Sequence, residues 1–154
     1  MKENRTLLLG IGNPILSDDG IGVVVSRAIQ DMGLPGIDVA EASASGIEVM
    51  EMMMDYEKVV IVDAIMLPDK APGEILRLHE EDFTKSVHGS SPHGINLVTA
   101  IALGRKVSPE RMPSKIVFFA MQAEDVSTFC EEQTPKVAER IVDLIDLVKN
   151  ELTS

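Results

Sequence analysis

Four residues have the types and settings to hold or use a cation: Asp18 and Asp19 in "LLLGIGNPILSDDG", Asp63 in "KVVIVDAI" and His93 in "SSPHGIN". A Gly-x-Gly between a strand-like run and a helical stretch otherwise suggests a dinucleotide loop. Here the third glycine of that fingerprint falls on Ile15, and the paired aspartates would meet a phosphate with like charge at a helix N-terminus. The ligand expected at this loop is therefore positive. One aspartate is expected to cap the helix that follows and favour its positive end, which leaves the other for a ligand. The residues alone leave open which of the two takes which part.

Asp63 ends a run that is otherwise valine and isoleucine, where a parallel sheet gathers its ligands. An aspartate in that position either bonds to loop amides or faces a site. His93 follows Ser91-Pro92, a cap and first residue for a helix, and a first-turn dipole favours the neutral imidazole that binds metals. Two carboxylates and an imidazole suit a borderline ion such as Ni²⁺ or Zn²⁺ and leave coordination positions open. The chain has no HExxH pair and no GxSxG nucleophile motif. Its single cysteine, Cys130, excludes an intrachain disulfide and a cysteine zinc cluster, and suits a reducing compartment. The methionines of "MEMMMD" are read as helical core.

These residues need elements to position them. Thr6 to Ile11, Ile37 to Ala42, Lys58 to Ile65 and Lys115 to Met121 read as strands. Gly73 to His79 alternates apolar and polar residues and follows its predecessor without a crossover, so it is expected as an antiparallel edge strand. Helical spacing joins Ile21, Val24, Val25, Ala28, Ile29 and Met32, closed by Gly33 and Pro35. Ser45 and Glu48 form a capping box for a helix carrying Ile47, Met50 and Met54. Ser91-Pro92 opens a helix to about Leu103, and Thr134-Pro135 opens one with Val137, Ile141, Leu144, Ile145, Val148 and Leu152 on one side. Alternating strands and helices predict an α/β domain with a mostly parallel sheet. If the strand order begins 2-1-3, the ends of the first and third strands flank the switch point and bring Asp19 towards Asp63.

The chain of 154 residues, 45% hydrophobic and 25% charged, fits one globular domain spanning residues 1–154. A net charge of −11 argues against nucleic acid and anionic membranes as partners. No apolar stretch reaches membrane-spanning length and no signal peptide is evident, so a cytoplasmic location is expected.

In order and spacing, "GIGNPILSDDGIG", "VDAI" and "SPHGINL" resemble the nickel–iron hydrogenase maturation endopeptidases, and the likeness extends over nearly the whole chain. The resemblance implies a five-stranded twisted sheet between helices, in a protease classed as aspartic-type. It implies removal of the C-terminal extension of a hydrogenase large-subunit precursor after nickel insertion. It places the family's three metal-contacting and catalytic positions on Asp19, Asp63 and His93, which leaves Asp18 to serve the loop and helix start. Nickel is then carried by the substrate rather than held permanently, and no organic cofactor is required. The segment "EASASG" lacks the Gly-Gly-Thr of many members while keeping Gly46, a departure that bears on which large subunit is processed. A metal-poised water or a carboxylate acting as general base are both open routes to peptide attack. The rival expectations are a hydrolase with its own divalent metal at the same residues, and a non-catalytic metal- or nucleotide-binding module.

Overall fold

The computed structural model describes residues 4–43, 46–82 and 94–154. The chain forms β1 (Thr6–Ile11), α1 (Ile21–Met32), β2 (Ile37–Ala42), α2 (Ile47–Met53), β3 (Lys58–Ile65) and β4 (Ile75–His79). It continues with α3 (Gly94–Val107), β5 (Lys115–Gln122), α4 (Pro135–Ala138) and α5 (Ile141–Leu152). The five strands make one sheet in the order β2-β1-β3-β5-β4. All neighbouring pairs are parallel except β4 with β5, so the antiparallel edge strand is where the alternation of its residues puts it.

Alternating residues of the aliphatic strands feed two cores. Leu7, Leu9, Val59, Ile61 and Phe118 meet α2 and α3 on one face. Leu8, Val60, Val62, Val117 and Phe119 meet α1, α4 and α5 on the other. Strands buried on both faces need no polar alternation, which explains why β1, β3 and β5 are nearly continuous hydrocarbon. The methionine-rich segment behaves as core, with Met50, Met53 and Met54 buried.

Several boundaries differ from expectation. Ile47 opens α2 but is exposed, and no side-chain bond caps that helix at Gly46; Ser45, half of the expected capping box, lies outside the described residues. The helix expected to end near Leu103 runs on to Val107. Gly104 is interior to it because a side chain there would strike Met112, whose Sδ lies 2.5 Å from the position of a Cβ. The C-terminal helix divides at Glu139–Arg140, where the Gly73 turn packs against Lys136 and Arg140. Its expected apolar face survives the break, since Val137, Ile141, Leu144, Val148 and Leu152 are all buried. Among the described residues no helix is long and apolar enough to cross a membrane.

Two features hold the layers in place. At the amino edge of the sheet, the Glu151 carboxylate of α5 pairs with Lys58 of β3 (2.7 Å), Arg77 of β4 (2.7 Å) and Lys115 of β5 (3.7 Å). Burial pushes this carboxyl up, but the hydrogen bonds from Lys58 and Arg77 outweigh it and hold the group at about 2. Towards the other edge, α1 lies directly on the sheet through two glycines. A Cβ on Gly22 would stand 2.3 Å from the Val62 carbonyl oxygen and 2.5 Å from that of Ile11, and one on Gly10 would stand 2.3 Å from the Gly22 oxygen.

Gly22→Ala gains about 1 kcal/mol of helix propensity. It also forces backbone from backbone, an overpacking cost of about 1–3 kcal/mol or more that no rotamer change relieves. Net destabilisation, read as a lower urea midpoint, is the expected result. Acid should also loosen the fold through Glu151. Its folded pKa of about 2 lies below the ordinary 4.5, so its contribution is complete above 4.5 and is lost as pH falls towards 2. Urea titrations across that window should show a shallower decline for Glu151→Gln than for the unaltered chain.

Candidate functional site

Between β1 and β3 the winding of the sheet reverses: β1 is followed by β2 on one side, and the chain then returns to lay β3 on the other. Ligands of open α/β sheets bind at such a point, beyond the carboxyl ends of the strands. The β1–β3 ladder ends at Gly10 opposite Val62, so Asp63 is the first residue of β3 past that pairing, still held opposite Ala120 of β5. Asp63 is buried, and its Oδ1 accepts the Ala64 N–H at 2.8 Å. The loop-amide reading of a strand-end aspartate and its place at the ligand-binding edge therefore coexist in one side chain.

Asp19 reaches the same edge from a 3-10 turn, Ser17–Gly20, which packs against β3. This turn sits on Gly12, whose φ of +146° few side-chain-bearing residues adopt and whose missing Cβ would lie 2.0 Å from the Asp19 carbonyl oxygen. The Asn13 N–H donates to Asp19 Oδ2 at 2.9 Å, so the carboxylate is oriented by the loop it caps. Asp19 is as buried as Asp63. Asp19 and Asp63 thus bring two buried carboxylates to one edge of the sheet.

Asp18 takes a different part from the one its sequence suggests. No side-chain bond caps α1, whose N-cap position is Gly20. The 3-10 turn instead sends the Asp18 carboxylate across to the connection between β5 and α4. Oδ2 accepts the N–H of Glu124 (2.8 Å) and Asp125 (3.1 Å) and the Thr134 hydroxyl (2.8 Å), while Oδ1 accepts the Thr134 N–H (2.8 Å). Asp18 thus serves a helix start, but that of α4 at Thr134-Pro135. Backbone bonds extend the clasp: Ser17 N–H to Cys130, Asp18 N–H to Asp125, and Cys130 N–H to Ile15. Within the clasped loop, Asp125 accepts from the Thr128 hydroxyl and from the amides of Ser127 and Thr128, which hold its carboxyl at about 2.

His93 lies outside the described residues. The helix after it, α3, ends with Arg105 bonded to the Pro113 carbonyl and to Glu80 at the amino edge. A 14-residue helix is about 21 Å long, so Gly94 begins α3 at the opposite, carboxyl edge. Among the described residues no cluster of three metal-ligating side chains forms. Sequence reasoning overlooked Thr134 and Gly22. In the sequence Thr134 reads only as a helix opener. Gly22 does the close-packing work of a dinucleotide loop's third glycine, displaced into the first turn of α1, and the "DDGIG" spacing was its signal.

Asp18→Asn keeps the shape but turns one acceptor into a donor facing backbone N–H groups in either flip. A loss of about 2–4 kcal/mol is expected from the unmet amides. Amide exchange should accelerate at Glu124, Asp125 and Thr134 while central β3 amides such as Val60 stay protected.

Residues 23–151 match the family model HycI, described as hydrogenase maturation protease. The hydrogenase 2 maturation protease of Escherichia coli K12 is 31% identical over 104 residues, covering 64% of this chain. The matched segment is 62% of that protein's length, so the chain spans under two thirds of that relative. The solved hydrogenase maturating endopeptidase HybD from Escherichia coli superposes with a TM-score of 0.81 at 25% identity, over 97% of this chain and 92% of that one. A [NiFe] hydrogenase maturation protease HybD from Thermococcus kodakarensis shares the fold, with a TM-score of 0.80 at 21% identity over 96% and 99% of the two chains.

Proposed function

The chain belongs to the hydrogenase maturation protease family, and from that premise we propose that it is an endopeptidase acting on the large-subunit precursor of a nickel–iron hydrogenase. It removes the precursor's C-terminal extension once nickel has been inserted. The observation that carries this reading is the pair of buried carboxylates, Asp19 and Asp63, at the switch point of the sheet. His93, next in sequence to the start of α3, completes the proposed set. The whole chain acts as one peptidase domain in the cytoplasm, a setting that its lone free cysteine suits.

Nickel in this scheme belongs to the substrate. Two carboxylates and an imidazole offer it oxygen and nitrogen ligands, as a borderline ion prefers. Docking through a metal that the enzyme does not supply makes productive binding depend on correct insertion, because the interaction is missing when the precursor is empty. Hydrolysis then requires a water oxygen to bond the scissile carbonyl carbon. Its proton passes to a base, and the C–N bond breaks as the leaving amine is protonated. A carboxylate beside the docked metal is suited to accept that proton; a metal-poised water reaches the same intermediate by the other route.

Purified protein should cleave nickel-loaded precursor and leave nickel-free precursor intact. Asp63→Asn should lower kcat/KM for the loaded precursor by at least a hundredfold. Equal cleavage of both precursor forms would overturn the proposal. Stoichiometric metal retained by the isolated protein through dialysis would favour a hydrolase with its own ion.

A further inference from the structure

Four connections leave the carboxyl ends of the parallel strands, and among the described residues each carries one large apolar side chain in solvent. Ile15 (46% exposed) follows β1, Ile47 (60%) begins α2 after β2, Met66 (41%) follows β3, and Phe129 (83%) follows β5. Single exposed apolar residues need no explanation. Their placement does, because all four stand on the edge that holds Asp19 and Asp63.

Two of them are joined. The Cys130 N–H donates to the Ile15 carbonyl at 2.9 Å, and Leu16 and Cys130 form a parallel bridge, so Ile15 and Phe129 project from one stitched surface. That surface is stiff, since the Asp18 carboxylate and the Asp125 turn fix the loop bearing Phe129 at both ends. A recess of about 210 Å³ opens beside it, lined by Pro14, Ile15, Val24, Arg27 and Glu131. An exposed aromatic on a preordered loop loses little freedom on association, which is the usual character of an interface anchor.

We propose that these four residues form the docking rim for the protein substrate, with Phe129 and Ile15 as its anchor, around a centre that receives the substrate's metal. The inference rests on the function proposed above and names the surface by which the precursor is held. Charge complementarity selects the occupant. A centre of two buried carboxylates calls for a cation, and an apolar rim calls for apolar surface around it. Together they fit a folded protein presenting a metal ion in a hydrophobic surround, rather than a free peptide or a free ion.

Steady-state cleavage of nickel-loaded precursor by Phe129→Ser, Ile15→Ser, the double variant, Ile47→Ser and Met66→Ser tests the rim. Met32→Ser and Val107→Ser serve as controls, because Met32 (43%) and Val107 (63%) are comparably exposed but lie at the amino edge. The double variant should raise KM at least tenfold with kcat within twofold. Ile47→Ser and Met66→Ser should each raise KM severalfold. Phe129→Leu should restore most of the anchor's effect, and the controls should match the unaltered chain. Thermal melts identify any variant that loses its fold, and the remaining rim positions then carry the test. An unchanged KM in the folded rim variants, or an equal rise in the controls, overturns the rim. If the unaltered protein still discriminates loaded from empty precursor, the function proposed above stands; if it does not, that reading fails on its own.

Discussion

Everything at the carboxyl edge depends on how closely α1 lies on β1 and β3. Ordinary helix–sheet packing leaves room for side chains between the layers. Here Gly10 and Gly22 remove them, and carbonyl oxygens of Ile11, Val62 and Gly22 occupy the space that a Cβ would need. That contact draws the 3-10 turn of Ser17–Gly20 down over the end of β3, so that a carboxylate from the first loop and one from the third strand share an edge. Gly12 continues the same theme one step outward, where the Asp19 backbone rests directly on it.

Three acidic residues in this region divide into two kinds. Asp18 is fully buried and spends its acceptors on three backbone amides and a hydroxyl, binding the β5–α4 connection to the first loop. Those four donors satisfy the buried carboxylate and fix its orientation. Asp19 and Asp63 each accept a nearby amide as well, from Asn13 and Ala64. The clasp by Asp18 lets neighbouring loops hold their shape on a surface that carries little regular structure.

The two ends of the sheet divide the labour. At the amino edge, ion pairs join elements remote in sequence: Glu151 with Lys58, Arg77 and Lys115, Arg105 with Glu80, and Arg111 with Asp55. At the carboxyl edge hydrogen bonds within and between loops predominate beside the Arg27–Glu41 ion pair, with apolar side chains left in water. Ion pairs thus gather at the amino edge, and the exposed apolar side chains of the loops stand where the strand ends and the switch point converge.

Local pattern was enough for the elements, because aliphatic runs and helical spacing are properties of neighbouring residues. The five strands, the antiparallel edge and the apolar face through Val137 and Leu152 all follow from it. The acidic character of the first loop was legible for the same reason, since two aspartates after Gly-x-Gly oppose a phosphate. What the sequence could not supply was which helix start Asp18 serves. Asp18 finds its partners at Glu124, Asp125 and Thr134, more than a hundred residues away, and only the β1-β3-β5 order brings them into reach. The continuation of α3 through Gly104 likewise needed Met112 to fold back against it, and the close-packing glycine needed the sheet beneath α1 to reveal it. Sequence determined which groups were available, since periodicity and charge are local. Tertiary structure decided which of them meet, since packing selects among partners that the chain itself does not order.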